Sequence, residues 1–314
     1  MDVMWLFFMD LRDGMRQRTE RFAGHLAPVA DIARAAAFLF GALLVFAPGL
    51  LAWEAADPAA ANLKPRTVAA FNDYVQLTDA RNNAELQRGT NLLWIDGLPD
   101  SERAQAYEAL KRGEVKIQKL ETRGNGEKIR CPGGMIHHWT GVVFIPGAKL
   151  QDVLRVLQDY DHHAQYYASD VERSKIESRD VDHFVVFLRF RRHKIITVVL
   201  NTQHDVRYFR DSETREHSRS SATRIAEVEN AGKPNEREKA PGVDGGFLWR
   251  METWWRMEER DGGVYVQSEV VSLTRDIPTG LGWLIGPFVT SIPKETLTFT
   301  LDATRRAVNG KPRS

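Results

Sequence analysis

The sequence predicts an α+β fold: a curved antiparallel sheet wrapped around a long C-terminal helix, with an N-terminal helical extension. Three observations predict it. Strand-like segments follow one another from 171 to 275 with turns and one polar loop between them and no helix, so the sheet is antiparallel and meandering. The chain then closes on a long apolar-rich segment at helical spacing, 281–308. Several strands are apolar on both faces, whereas a single-layer sheet with one wet face alternates cleanly.

The elements follow in chain order. Residues 1–56 read as a leader. Its first 34 residues mix apolar and charged side chains, and then Ala35–Trp53 carries none that ionises. Such a run is long enough to cross a bilayer as a helix, which takes about 18 residues or more. Arg16, Arg18, Arg21 and Arg34 precede it, and Glu54 and Asp57 follow it. Positive charge before the span predicts a cytoplasmic N-terminus and export of the rest, to a periplasmic or membrane-anchored place. Pro48-Gly49 and the small residues Ala52, Ala55 and Ala56 suit a cleaved signal, while the long charged region suits a retained anchor. Both stay open, and Met15 offers a second start. A buried helix of a soluble domain is the third reading.

Residues 57–112 read as linker and helical prefix. Pro58 and Pro65 punctuate an Ala-rich stretch; Val68, Phe71, Tyr74, Val75 and Leu77 then have helical spacing. A second helix starts after Pro99, with Asp100 or Ser101 as its cap, and ends at Gly113. From 113 to 308 the main domain follows. Strands are predicted at 115–120 and 137–145, then a helix on Leu150, Val153, Leu154 and Leu157. Six further strands are predicted at 171–178, 184–190, 195–208, 218–229, 247–258 and 264–275. The last two are joined by the hairpin signal Arg260-Asp261-Gly262-Gly263. Pro287 and Pro293 are expected to kink or interrupt the closing helix. Residues 309–314 read as a disordered tail.

Composition excludes several functions. In 314 residues, 43 Lys+Arg balance 42 Asp+Glu to a net charge of +1, which argues against a nucleic-acid partner. The single cysteine, Cys131, allows no internal disulfide and no multi-cysteine zinc site.

The segments WTGVVFIPGAKLQDVLRVLQDYDHHAQYY (139–167), ITVVLNTQHDVRYF (196–209) and the run from Phe247 to Leu301 resemble the START-like, or SRPBCC, superfamily with its helix-grip fold, of the bacterial lipid- or polyketide-binding type. The resemblance covers about residues 113–308 and rests on the order of elements more than on a catalytic motif. It implies a hydrophobic tunnel between the sheet and the C-terminal helix. Members bind lipids, sterols, quinones or polyketides; some are cyclases or hydrolases, and some are oxygenase domains. The oxygenases need an iron–sulfur domain that one cysteine cannot build.

The leading expectation is therefore binding of a hydrophobic small molecule, such as a lipid or isoprenoid, without a cofactor or a catalytic residue. On the strands the expected lining is Phe187, Val199, Trp249, Met251, Trp255 and Val270; on the helix it is Trp283 and Phe288. Arg224 and Glu269 either pair across the cavity and orient a headgroup or point to water, and His204 is a third polar candidate. A one-residue slip of register inverts each strand's face. The alternatives are a cyclase- or hydrolase-type enzyme in the same cavity and a ligandless interaction domain. Asp161-His162-His163 and His137-His138 read as solvated histidines rather than a metal site, because neighbours on a strand point apart. The basic cluster Arg189, Arg191, Arg192, His193 and Lys194 reads either as a charged turn or as a membrane contact, and Gly280–Phe288 as close packing or a gate.

Overall fold

A computed structural model describes residues 61–193, 197–240, 243–276 and 282–310, with backbone alone at 61, 62, 243 and 282–290. The expected membrane segment 35–53 and leader 1–56 lie outside the described residues. Among the described residues no helix is long and apolar enough to cross a membrane.

Strand β1 (Ala61–Asn62) precedes helix α1 (Pro65–Arg88), so the first described elements lie inside the expected linker and prefix. Pro65 opens α1, where a missing N–H costs nothing, and Gly89 closes it at φ +66°. Thr67, Phe71, Tyr74, Thr78 and Asn82, spaced four and three apart, are its buried stripe. A 3-10 turn, Trp94–Gly97, leads to α2 (Asp100–Lys111), which buries Ala106, Ala109 and Leu110. Neither predicted residue caps α2: Pro99 precedes the first helical residue, Asp100, and no side chain caps it.

Then come β2 (Lys116–Lys119), the small hairpin β3 (Arg123–Gly124) with β4 (Glu127–Lys128), and β5 (Gly134–Pro146). Helix α3 (Leu150–Leu157) and the short α4 (His163–Tyr166) follow. The meander runs β6 (Val171–Asp180), β7 (His183–His193), β8 (Thr197–Arg210) and β9 (Arg215–Glu229). After the short β10 (Arg237–Glu238) and β11 (Val243–Asp244) it continues as β12 (Arg250–Arg260) and β13 (Gly263–Arg275). All main-sheet pairs are antiparallel, in the order β2-β5-β13-β12-β9-β8-β7-β6. The first long strand thus pairs with the last.

Helix α5 (Gly282–Val308) is continuous through Pro287 and Pro293, correcting the expected interruption. A proline removes one ladder donor in its own turn. The rest of the helix is held by packing: Leu297 and Leu301 join the core formed by α3 and the sheet. Gly141 on β5 permits that approach, since a Cβ there would lie 2.7 Å from Leu301 Cδ1. Strand, helix, six antiparallel strands and a gripped C-terminal helix are the helix-grip arrangement.

Candidate functional site

The sheet has two faces with different chemistry. The outer face of β5, β13 and β12 is covered by the prefix. Phe71 and Tyr74 of α1 pack with Trp249, Trp254, Val271 and Leu273; Leu93, Ile95 and Leu110 pack with Val142, Phe144 and Tyr265. This explains why these strands are apolar on both sides. The second apolar face is a helix-docking surface, not a second cavity wall.

Among those apolar groups runs a buried polar network. His138 Nε2 donates to Glu269 Oε1 over 2.8 Å, and in the neutral imidazole Nδ1 accepts from the Tyr74 hydroxyl over 2.9 Å. Arg81 also pairs with Glu269, and Arg256, 3% exposed, reaches Asn82, Glu85 and the Leu92 carbonyl. Burial pushes the Glu269 carboxyl up, but the His138 hydrogen bond and the Arg81 charge outweigh it and hold the group below its ordinary value.

The inner face looks toward α3 and α5. Register aligns its side chains in rows. One row is Gly141–Ser268–Trp255–Ser218–Tyr208. The next is Trp139–Val270–Thr253–Ser220–Val206–Phe184. A third begins His137–Ser272–Met251, and Ala222–His204–Val186 lie level next to Ser220–Val206–Phe184, just before a register shift at Gln203. Large groups stand at intervals: Trp139, Trp255, Met251 and Phe184. Small ones lie between them: Ser268, Ser272, Ser218, Ser220 and Ala222. Trp139, Met251, Thr253, Trp255, Ser220 and Val270 are half-buried.

Three buried polar atoms in the first two rows have no hydrogen-bond partner among the described residues: Trp139 Nε1, Ser218 Oγ and Ser268 Oγ. Two imidazoles share this face. Thr202 Oγ1 donates to the Leu188 carbonyl, so His204 Nε2 donates to Thr202 over 2.8 Å and leaves Nδ1 as the ring's acceptor. His137 Nε2 bonds Thr274 Oγ1 over 3.0 Å. Burial pushes both imidazoles down to about 4, so both are neutral near pH 7.

Of the expected lining, Met251, Trp255 and Val270 share the inner face. Phe187, Val199 and Arg224 lie on the outer face, as the register of β7, β8 and β9 requires. Trp249 leaves the alternation of β12: it precedes the strand, and its indole donates to Asp244 Oδ1 over 3.0 Å within the outer cluster. The expected pairing of Arg224 with Glu269 is corrected. Arg224 is exposed and pairs with Glu238, while Glu269 is buried beneath α1. Trp283 and Phe288 fall on α5 where side chains lie outside the description.

Sequence reasoning missed Trp139, Ser218 and Ser268. The signal was present as serines two apart on strands (Ser218, Ser220; Ser268 near Ser272), small groups where a filled core carries large ones. The reading of solvated histidines is corrected as well. His137, His138 and His163 are buried and bonded, and only His162 is exposed. Their neighbours do point apart, His137 inward and His138 outward. Among the described residues no three metal-ligating side chains cluster. The basic cluster is largely neutralised: Arg189, 2% exposed, pairs with Glu172 and Glu236, Arg191 with Glu172, and Arg192 with Asp170.

A shallow depression of about 460 Å³ lies between α3 and the ends of β8 and β9, lined by Gln151, Arg155, Gln158, Asp182, Arg210 and Glu216. Burial and the nearby Asp182 raise the Glu216 carboxyl.

No protein-family model and no curated protein matches the chain. Solved structures of similar fold include a STAR-related lipid transfer protein from Xanthomonas axonopodis, 17% identical, covering 62% of this chain and 98% of its own at TM-score 0.40. A START superfamily protein from Mycobacterium smegmatis is 12% identical, covering 55% and 97% at TM-score 0.36. The Zhui aromatase/cyclase from a Streptomyces species is 15% identical, covering 56% and 94% at TM-score 0.36. These are likenesses of fold.

Proposed function

We propose that the protein binds a hydrophobic small molecule, of the lipid or isoprenoid class, between the inner face of the sheet and α5. One observation carries the reading. The inner face alternates half-buried large apolar groups (Trp139, Trp255, Met251, Val270) with serines and an alanine, although it stands opposite a helix. A filled core closes such gaps, whereas a binding site leaves them. Burial of apolar ligand surface contributes about 25 cal/mol per Å².

The test is native mass spectrometry, with organic extraction, of the purified full-length chain from its own cells. A co-purifying apolar compound, released on denaturation, is expected. Repeated recovery of an empty chain overturns the reading and favours the ligandless interaction domain.

His137 and His204 on the same face motivate the enzymatic alternative. An imidazole held to about 4 is a weak base near pH 7, where general bases work best with values near the ambient pH. Hydrogen-bonding anchors suit them better.

The reading includes a tether. Residues 35–53 either anchor the chain in the cytoplasmic membrane or direct its export, placing the binding domain outside. Protease added to intact spheroplasts is expected to digest the domain; protection until lysis overturns this.

A further inference from the structure

We infer that the ligand is uncharged and carries at least one hydrogen-bond-accepting oxygen, received by the Trp139 indole N–H and the Ser268 hydroxyl, with Ser218 as a further contact. This rests on the binding reading above and narrows it. Ser268 is 0% and Ser218 1% exposed, and neither hydroxyl, nor Trp139 Nε1, has a partner among the described residues. A buried polar group left unpaired bears its full desolvation cost, so a fold rarely keeps three close together without use.

Trp139 and Ser268 stand diagonally on the paired strands β5 and β13, where large side chains reach their diagonal neighbours. Ser218 lies two strands from Ser268 in the same row, about 10 Å away. An indole N–H only donates, so what meets Trp139 is an acceptor; a serine hydroxyl donates or accepts. A plain hydrocarbon leaves all three groups unpaired. An anion is disfavoured because, from β5 to β7, the rows Gly141–Ser268–Trp255–Ser218–Tyr208 and Trp139–Val270–Thr253–Ser220–Val206–Phe184 hold no lysine or arginine; Lys119 on the edge strand β2 continues the second row beside Trp139 but is exposed, and a buried charge needs a partner. The two imidazoles on the same face, neutral and hydrogen-bonded, offer no cation either. A neutral ketone, quinone or alcohol on an apolar skeleton fits.

The experiment compares three probes of one carbon skeleton on the purified full-length chain: geranylgeraniol, geranylgeranoic acid and the hydrocarbon phytane. Binding is measured for the wild type, Trp139→Phe and Ser268→Ala. Ser268→Ala keeps the side-chain shape and Trp139→Phe keeps an aromatic ring while removing the N–H, and unchanged circular dichroism and unfolding midpoint check that they fold. The alcohol is expected to bind most tightly. Each variant is expected to weaken the alcohol about three- to tenfold relative to phytane, the worth of one hydrogen bond, and Ser268→Ala to leave phytane unchanged. If the hydrocarbon or the acid binds as tightly as the alcohol, or the variants leave the alcohol unaffected, this inference fails while the binding reading stands, and ordered water is what the three groups hold. If none of the probes binds the folded chain, both fail.

Discussion

The two faces of the main sheet are built from the same strands, yet they are finished differently. On the outer face of β5, β12 and β13 ionised groups are deeply buried and each has a partner: Glu269 has His138 and Arg81, and Arg256 has Glu85 and Asn82. On the inner face there is little charge, and small neutral polar atoms are left without partners. The contrast separates structure from function. A surface meant to stay closed pairs its buried charges itself, because an unpaired buried charge is costly, although Arg81 Nε and the Trp94 indole N–H there also lack partners. A surface meant to receive something can leave that task to its guest.

Three measurements break or sharpen this contrast. The largest effect is expected on the outer face. Glu269→Ala strips His138 and Arg81 of their acceptor and should lower stability by about 3 kcal/mol, the low end for a broken buried pair because Arg81 reaches solvent. Binding of an apolar ligand should be unchanged once folding is accounted for. Lost binding at unchanged stability would move Glu269 to the cavity and erase the distinction.

Next comes the pH response of the inner face. His204 sits at about 4 in the folded chain against 6.5 when free, so the unfolded chain binds the extra proton. Stability is therefore complete above pH 6.5 and falls as pH drops toward 4, by roughly 2.5 kcal/mol at pH 4.5 for this one group. His204→Gln should remove about one proton from the slope of unfolding free energy against pH. An unchanged slope would mean that His204 is solvated, hence not on a dry inner face.

The smallest effect concerns the place where the inner face is closed. Gly141→Ala puts a methyl against Leu301 and should cost about 2 kcal/mol, as overpacking does. The same change at a ligand-filled spot would instead compete with the ligand, so a variant of normal stability but weakened binding would place the cavity under Leu301.

Most of the architecture was legible in the sequence because it rests on local signals. Pro146-Gly147 ends β5, Arg260 to Gly263 makes the last hairpin, and period two separates Phe184 and Val186 from Phe187. What failed depends on partners distant in sequence. Nothing local says that Trp254 and Val271 face α1, which lies about 180 residues earlier, so strands apolar on both faces read as a sign of a curved sheet around a cavity. Trp249 defeated alternation because Asp244 captures its indole before β12 begins. Glu269 looked like a cavity group because the helix carrying Arg81 belongs to the prefix, outside the resemblance. The serines of the inner face were visible, but a strand serine signals room only once a helix is known to stand opposite.

The pairing of β5 with β13 also governs the order in which the chain can fold. Their registered residues, from Pro146 with Gly263 to Gly134 with Arg275, lie 117 to 141 positions apart. The floor on which α1 and α2 dock includes Tyr265, Val271 and Leu273 and does not exist until β13 arrives. The prefix emerges from the ribosome before the sheet and docks late. Loops of this length must close before the contacts reward them, so assembly is slow and the apolar stripe of α1 stays bare for much of it. A chain that waits in this way keeps apolar surface and unpaired strand edges exposed until its last strand is made.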